Sequence, residues 1–151
     1  LRSGTENVPA IVGFGVACEL AVARLAETAQ HTARLRAQLE TGLTGMGATI
    51  FGGQAARIPN TCYFALPDIE GDTLVVKLDK AGFAVAAGAA CSSVNPGQSH
   101  VLAAMGIDPL LARCAVRVSL GRDNTAEQVD GFLRTTQRIV AELRQTSSIS
   151  F

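Results

Sequence analysis

The chain has 151 residues, 48% hydrophobic and 17% charged, and its 13 basic and 13 acidic residues cancel to a formal net charge of zero. That length suits one domain burying about two-thirds of its unfolded surface, with the composition of a packed interior and not of a disordered chain. No basic cluster offers a footprint to a phosphate backbone, which excludes nucleic acid, and no apolar run of spanning length or charged leader is read in it, which points away from a membrane.

Arg2-Ser3-Gly4-Thr5-Glu6-Asn7 is a polar lead into a helix, with Asn7 or a neighbour as cap and Pro9 where a missing amide donor costs least. From Pro9 to Leu43 the apolar spacing is helical, with Val12, Val16 and Leu20 in one row and Leu35, Leu39 and Leu43 in another, both expected to pack in a core. A helix this long predicts a bend or break near Glu27-Thr28, and Gly45 and Gly47 end it. His31 lies in its polar part and is expected to be solvated.

Ala48–Phe51 reads as a short strand, Gly52-Gly53 as a turn and Thr61–Leu66 as a second strand, with Cys62 structural. Asn60, at the mouth of that strand beside Pro59, either stabilises a turn or directs its amide toward a ligand. Glu70 to Ala81 predicts a helix with Glu70 and Asp72 in its first turn and Lys77 and Lys80, the only lysines, in its last. Phe83–Ala87 predicts a strand. Ser99–Met105 and Asp108–Ala112 predict short helices, and His100 falls inside the first, which argues against pairing it with a nucleophile. Ala115–Leu120 alternates as a half-buried strand, with Val116, Val118 and Leu120 on one face and Arg117 and Ser119 on the other. Thr125-x-x-Gln128 is a capping-box pattern opening an amphipathic helix, and the serine-rich tail from Gln145 is expected to fray. The pattern as a whole predicts an α+β fold, a small, mostly antiparallel sheet covered by helices.

Four cysteines, Cys18, Cys62, Cys91 and Cys114, lie far apart with no Cys-x-x-Cys pair, so no metal site is expected and a reducing cytoplasm fits. One of them stands out. Cys91 lies in Ala86-Ala87-Gly88-Ala89-Ala90-Cys91-Ser92-Ser93, among small residues and ahead of the turn-forming Asn95-Pro96-Gly97, so no bulky neighbour in sequence shields its sulfur. Its surroundings suit a reachable nucleophile better than a core thiol. Arg117, on the polar face of its strand, could grip a carboxylate through two parallel hydrogen bonds or pair with a local acid or water.

The Cys91 stretch, followed by Ser99-His100-Val101-Leu102-Ala103-Ala104-Met105-Gly106, resembles the active-site loop of cysteine desulfurases of the NifS/IscS type, in their long-loop branch. Arg2-Ser3-Gly4-Thr5, Pro59-Asn60-Thr61 and Val116-Arg117-Val118-Ser119-Leu120-Gly121 are similar to three further signatures of that family, in its order. The resemblance covers nearly the whole chain. It implies the C-terminal small domain of a fold-type I transferase, with its leading interdomain helix, over residues 1–151. It also implies an activity: pyridoxal phosphate labilises L-cysteine, and a loop thiolate takes its sulfur as a persulfide, leaving L-alanine.

By the resemblance Cys91 is the sulfur carrier, Arg117 binds the substrate carboxylate, Asn60 lies toward the substrate, and Thr5 reaches the cofactor phosphate in the partner subunit of a homodimer. A sulfur-acceptor or scaffold protein of iron–sulfur cluster assembly is the implied partner. The family's cofactor lysine, with the aspartate and histidine that contact the cofactor ring, belongs to a motif upstream of Arg-Ser-Gly-Thr and has no counterpart here. The chain therefore reads as part of a longer enzyme, not expected to hold pyridoxal phosphate stably or to turn over alone. Two other readings stay open: a non-catalytic domain that docks partners of sulfur transfer, and another class-V aminotransferase-like enzyme in which Cys91 is incidental.

Overall fold

The computed structural model describes residues 3–88 and 99–147. Cys91 and most of the stretch around it lie outside the described residues, as does Arg2. The element order is α1 (Val8–Gly45), β1 (Thr49–Ile50), β2 (Thr61–Ala65), α2 (Gly71–Lys80), β3 (Ala86–Ala87), α3 (His100–Ala104), α4 (Pro109–Arg113), β4 (Ala115–Ser119) and α5 (Ala126–Ser147). The strands form one antiparallel sheet in the order β1-β2-β4-β3, so the expected α+β architecture holds.

Alternation along the two central strands decides what each sheet face does. Cys62 and Phe64 of β2 pair with Val118 and Val116 of β4. All four point to the face covered by α1, α2 and α5 and join Leu35, Leu39, Leu43, Leu74, Leu78, Phe132 and Ile139 in the main core. Leu39 and Leu43 are at most 1% exposed, so truncating either to alanine would cost about 2–5 kcal/mol. α5 is held in place from its first turn. The Thr125 hydroxyl accepts from the Gln128 amide at 3.3 Å and the Gln128 side chain accepts from the Thr125 amide at 3.1 Å, the reciprocal cap read in the sequence. It then crosses α1 closely: a Cβ on Gly42 would fall 2.4 Å from a Leu133 methyl, so the two helices approach through a glycine.

α1 departs from expectation twice. It runs for 38 residues without the break predicted near Glu27-Thr28. No proline interrupts its interior, and the Thr32 hydroxyl donates to the Thr28 carbonyl at 2.8 Å without opening the helix. Nor does its first row enter a core: Val12, Val16 and Leu20 are 46–59% exposed, whereas Leu35, Leu39 and Leu43 are buried as expected. Partial burial starts near Thr28 and full burial at Thr32, where the sheet and α5 come alongside.

By length and composition alone α1 is also apolar enough to cross a membrane, contrary to the reading that no such run exists. Alanine and glycine between the larger residues keep residues 8–25 apolar, with only Glu19 and Arg24 charged, although no continuous run of large side chains is visible. Smaller differences lie at element ends. β3 is confined to Ala86–Ala87, shorter than predicted, and helix α5 persists through Ser147 where a frayed tail was expected from Gln145.

Candidate active site

The second face of the sheet is graded from covered to open. Ala65 and Ala115, paired across β2 and β4, are buried beneath Leu102 of α3 and Ala112 of α4 in a smaller core. One step along, Tyr63 is paired with Arg117, and Arg117 is also paired with Ala86 of β3. At the open end lie Thr61 and Ser119. Arg117 and Ser119 are exposed while Val116 and Val118 between and beside them are buried, so the alternation predicted for this strand is realised.

The Arg117 side chain takes part in none of the ion pairs or side-chain hydrogen bonds among the described residues. Of the two partners in the alternative reading, a local acid or water, the acid is absent among the described residues. A planar guanidinium held on a strand and unengaged is suited to a bidentate carboxylate contact.

Tyr63, the only tyrosine in the chain, fills the ground between Arg117 and the end of β3. Its ring meets Phe51 edge-on, centroids 5.2 Å apart at 69°. Its phenol donates to the Gly88 carbonyl at 3.2 Å. Burial pushes the phenol above its ordinary value, against the opposing pull of the Ser99 hydroxyl and the Arg117 guanidinium, so the hydroxyl keeps the proton it donates. Gly88 is a glycine for a steric reason: a Cβ there would fall 2.7 Å from the phenolic oxygen and 2.8 Å from the Ala115 methyl. Its amide meanwhile donates to the Ala115 carbonyl at 2.8 Å. Neither Tyr63 nor Ser99 was singled out from sequence; the available signal was a lone tyrosine alternating onto the Thr61 face of its strand.

Asn60 is near this face but committed. Its amide nitrogen donates to the Leu120 carbonyl at 3.3 Å and its backbone carbonyl accepts from Leu120 at 2.8 Å, prolonging the β2–β4 ladder by one residue. Its side-chain oxygen accepts from the Thr61 hydroxyl at 3.4 Å. Thr5 is exposed ahead of α1, whose first turn is capped by the Asn7 carboxamide accepting from Ala10 at 3.1 Å. About 24 helical residues, on the order of 36 Å, separate that end from the first buried residue, Thr32, so Thr5 and Arg117 are not brought together within the chain.

The remaining polar candidates take ordinary roles. Lys77 and Lys80 lie in the last turn of α2, complementing its dipole. His100 is exposed at the start of α3. His31, expected to be solvated, is partly buried, its Nε2 2.9 Å from the Asn124 carbonyl oxygen. Cys62 is fully buried, and desolvation pushes its thiol up to about 12. Burial also raises the Cys114 thiol, which donates to the Leu110 carbonyl at 3.4 Å. Neither is a thiolate near neutral pH. Cys18 is exposed on the unpacked half of α1, and among the described residues no group of three His, Cys, Asp or Glu side chains is placed to hold a metal ion.

The sheet, its covering helices and the four sequence signatures can now be set beside known proteins. The profile of the aminotransferase class-V family matches residues 1–132. The chain belongs to the class-V aminotransferase family. Within that family, a cysteine desulfurase of Rhodobacter capsulatus is 41% identical over 144 residues, covering 95% of this chain and 38% of the relative. The cysteine desulfurase NifS of Azotobacter vinelandii is 38% identical over 148 residues, covering 97% of this chain and 37% of that protein. A solved NifS-like protein superimposes with a TM-score of 0.82 at 41% identity, over 93% of this chain and 35% of its own. As a class-V aminotransferase chain, therefore, it spans little more than a third of the length of the relatives it matches, and it has the fold of the corresponding part of a NifS-like enzyme.

Proposed function

We propose that the chain is the C-terminal part of a cysteine desulfurase, the part that grips the substrate and carries sulfur away. The observation that carries this reading is Arg117: exposed, free of any acid among the described residues, and paired through β3 with the strand that leads into the Cys91 stretch. The names of the relatives, cysteine desulfurases matching end to end along this chain, support L-cysteine as substrate.

In the proposed reaction Arg117 binds the L-cysteine carboxylate. The Cys91 thiolate attacks the substrate sulfur, a sulfur–sulfur bond forms as the carbon–sulfur bond breaks, and the carbon keeps the electron pair and is protonated. L-cysteine and the Cys91 thiol thus become L-alanine and a Cys91 persulfide, with no external oxidant or reductant. Pyridoxal phosphate, when bound in the complete enzyme, supplies the electron sink that makes that carbon a leaving group. Of this chain's residues, the exposed Thr5 hydroxyl fits a contact to its phosphate, across a homodimer interface. Lys77 and Lys80 do not fit as its anchor, since they complete the surface end of α2. The anchoring lysine is assigned to the remainder of the enzyme. Asn60 gives one amide hydrogen to Leu120 and keeps the second, which fits it to lie toward the substrate at the rim of the site. The persulfide is passed to a sulfur-acceptor or scaffold protein of iron–sulfur cluster assembly, in a reducing cytoplasm.

Sulfur-35 cysteine tests the reading in the complete enzyme. The radiolabel is expected on the Cys91 peptide and is lost in Cys91→Ser, while consumption of the bound substrate stops before alanine release. Label on Cys18, Cys62 or Cys114 would overturn it.

A further inference from the structure

We propose that the cavity between α1 and the turn after β4 binds a small organic phosphate, held by the guanidinium groups of Arg24, Arg34 and Arg122. The proposal goes beyond the desulfurase reading and uses neither Cys91 nor Arg117.

The cavity measures about 530 Å³, a volume suited to a metabolite-sized ligand, and every side chain that lines it is polar or charged. Arg24, Glu27, Thr28, His31 and Arg34 come from α1, where their spacing brings them to one face of the helix. Arg122 and Asp123 close it from the turn. Arg24 and Arg122 are 98 positions apart, so no basic run in the sequence marks the cluster.

Two of the three cations are unspent. Arg36, on the same helix, is paired with Glu40, but the Arg24 and Arg34 side chains make no ion pair or side-chain hydrogen bond among the described residues. Glu27 lies three residues from Arg24, a spacing at which helical ion pairs form, and the pair is not made. Arg122 holds only its neighbour Asp123, at 3.4 Å, and that carboxylate is 88% exposed, a contact that an anion in the cavity can replace. The lining thus carries an excess of positive charge. Each guanidinium can present two parallel donors to the oxygens of a phosphoryl group. Glu27, an acceptor only, and the Thr28 hydroxyl suit hydroxyl groups on the body of the ligand, which separates an organic phosphate from a bare anion.

The scaffold is set before a ligand arrives. The Asn124 side chain accepts from the Gly121 amide at 2.7 Å and donates to Gln128 at 3.0 Å, which pins the turn carrying Arg122. His31 Nε2 donates to the Asn124 carbonyl at 2.9 Å, since a carbonyl only accepts, and this ties the turn to α1. Only the arginine side chains have to order on binding. The cavity lies where partial burial of α1 begins, at Thr28, so an occupant braces the point at which the exposed half of the helix leaves the body.

Isothermal titration of the complete enzyme, its cofactor in place, tests the site with glycerol 3-phosphate and with inorganic phosphate at constant ionic strength, sodium chloride serving as control. Glycerol 3-phosphate is expected to bind at one site per chain with a dissociation constant on the order of 1 mM, and inorganic phosphate about fivefold more weakly. Arg24 and Arg34 are exposed, so their variants keep the fold. Arg24→Gln and Arg34→Gln should each weaken binding about tenfold, the loss of one charge-assisted contact, and Arg34→Lys should recover part of it. Arg117→Ala, outside the cavity, and Arg138→Gln, whose arginine is paired with Glu142 on α5, should bind as the parent does. No heat beyond the chloride control up to about 20 mM glycerol 3-phosphate, unchanged affinity in Arg24→Gln and Arg34→Gln, or an equal loss in Arg138→Gln or Arg117→Ala would overturn the proposal. Equal affinity for inorganic phosphate would overturn the part given to Glu27 and Thr28. The titration needs no sulfur transfer, so a failure of the Cys91 label would defeat the desulfurase reading and leave this site standing.

Discussion

Gly71 rests against the backbone of Ala115: a Cβ on Gly71 would stand 2.6 Å from the Ala115 carbonyl oxygen and 3.0 Å from that of Arg113. The first residue of α2 thus touches the start of β4 through backbone alone, and neither carbonyl can swing aside as a flexible side chain would. Gly71→Ala should destabilise the fold by about 2–3 kcal/mol, at the upper end for overpacking, and lower Tm by several degrees. Differential scanning calorimetry checks it; a Tm within about 1 °C of the parent would show that α2 can shift freely.

Glu40 receives Arg57 through both carboxylate oxygens, at 2.7 and 3.1 Å, with Arg36 3.5 Å away, all at about 19% side-chain exposure. The hydrogen bond to Glu40 is also what raises the Arg57 guanidinium above its ordinary value. Glu40→Ala leaves two part-buried arginines short of a partner and should cost about 1–3 kcal/mol. The exposed pair Arg138–Glu142, though as short at 2.7 Å, should cost only about 0.3–0.5 kcal/mol when broken. Urea titrations of Glu40→Ala and Glu142→Ala decide between length and burial as the governing variable.

Alkaline pH should weaken the fold through Cys62. The unfolded thiol loses its proton near its ordinary value of 9.0, whereas the folded one, desolvated, holds it up to about 12. Between those values the native state binds the extra proton, so this contribution is full below pH 9 and is lost as pH rises, at up to about 1.4 kcal/mol per pH unit. Cys62→Ala, less stable at neutral pH, should show a shallower decline between pH 9 and 11. Parallel decline in the two proteins would assign the alkaline loss to other groups.

Arg117→Ala should separate binding from folding. Arg117 is exposed and unpaired among the described residues, so the substitution should change stability by less than about 0.5 kcal/mol. In the complete enzyme the loss of a charge-assisted bidentate contact should raise KM for cysteine by an order of magnitude or more. Arg117→Lys should recover only part of it, because an ammonium cannot supply two parallel donors. Equal KM in Arg117→Ala and the parent would remove Arg117 from the substrate site.

Much of this fold was legible because it rests on local rules. The Thr125/Gln128 cap, the alternation of Val116, Arg117 and Val118 and the Leu35, Leu39, Leu43 stripe each follow from spacing within one element. Val12 and Val16 show where that reasoning stops: an apolar row reports that a helix face seeks a partner, and says nothing of whether the partner lies in the same stretch of chain. The candidate site divides in the same way. Arg117 stands out as a charge on an alternating strand, but the Tyr63 hydroxyl meets the Gly88 carbonyl only when β2 and the end of β3 converge, a relationship between residues 25 positions apart that no local pattern encodes.

The half of α1 that leaves the core behaves as a lever. With full burial confined to the segment from Thr32 onward, Thr5 rides at the end of an arm on the order of 40 Å long. A tilt of only about 5° at the packed end moves that tip by roughly 3 to 4 Å, more than the length of a hydrogen bond. The fulcrum is the crossing where Gly42 admits Leu133. Side chains at Gly42 and Leu133 thereby bear on where a hydroxyl about 50 Å away along the helix is delivered, so a methyl group added at the crossing is expected to act on Thr5 without touching it.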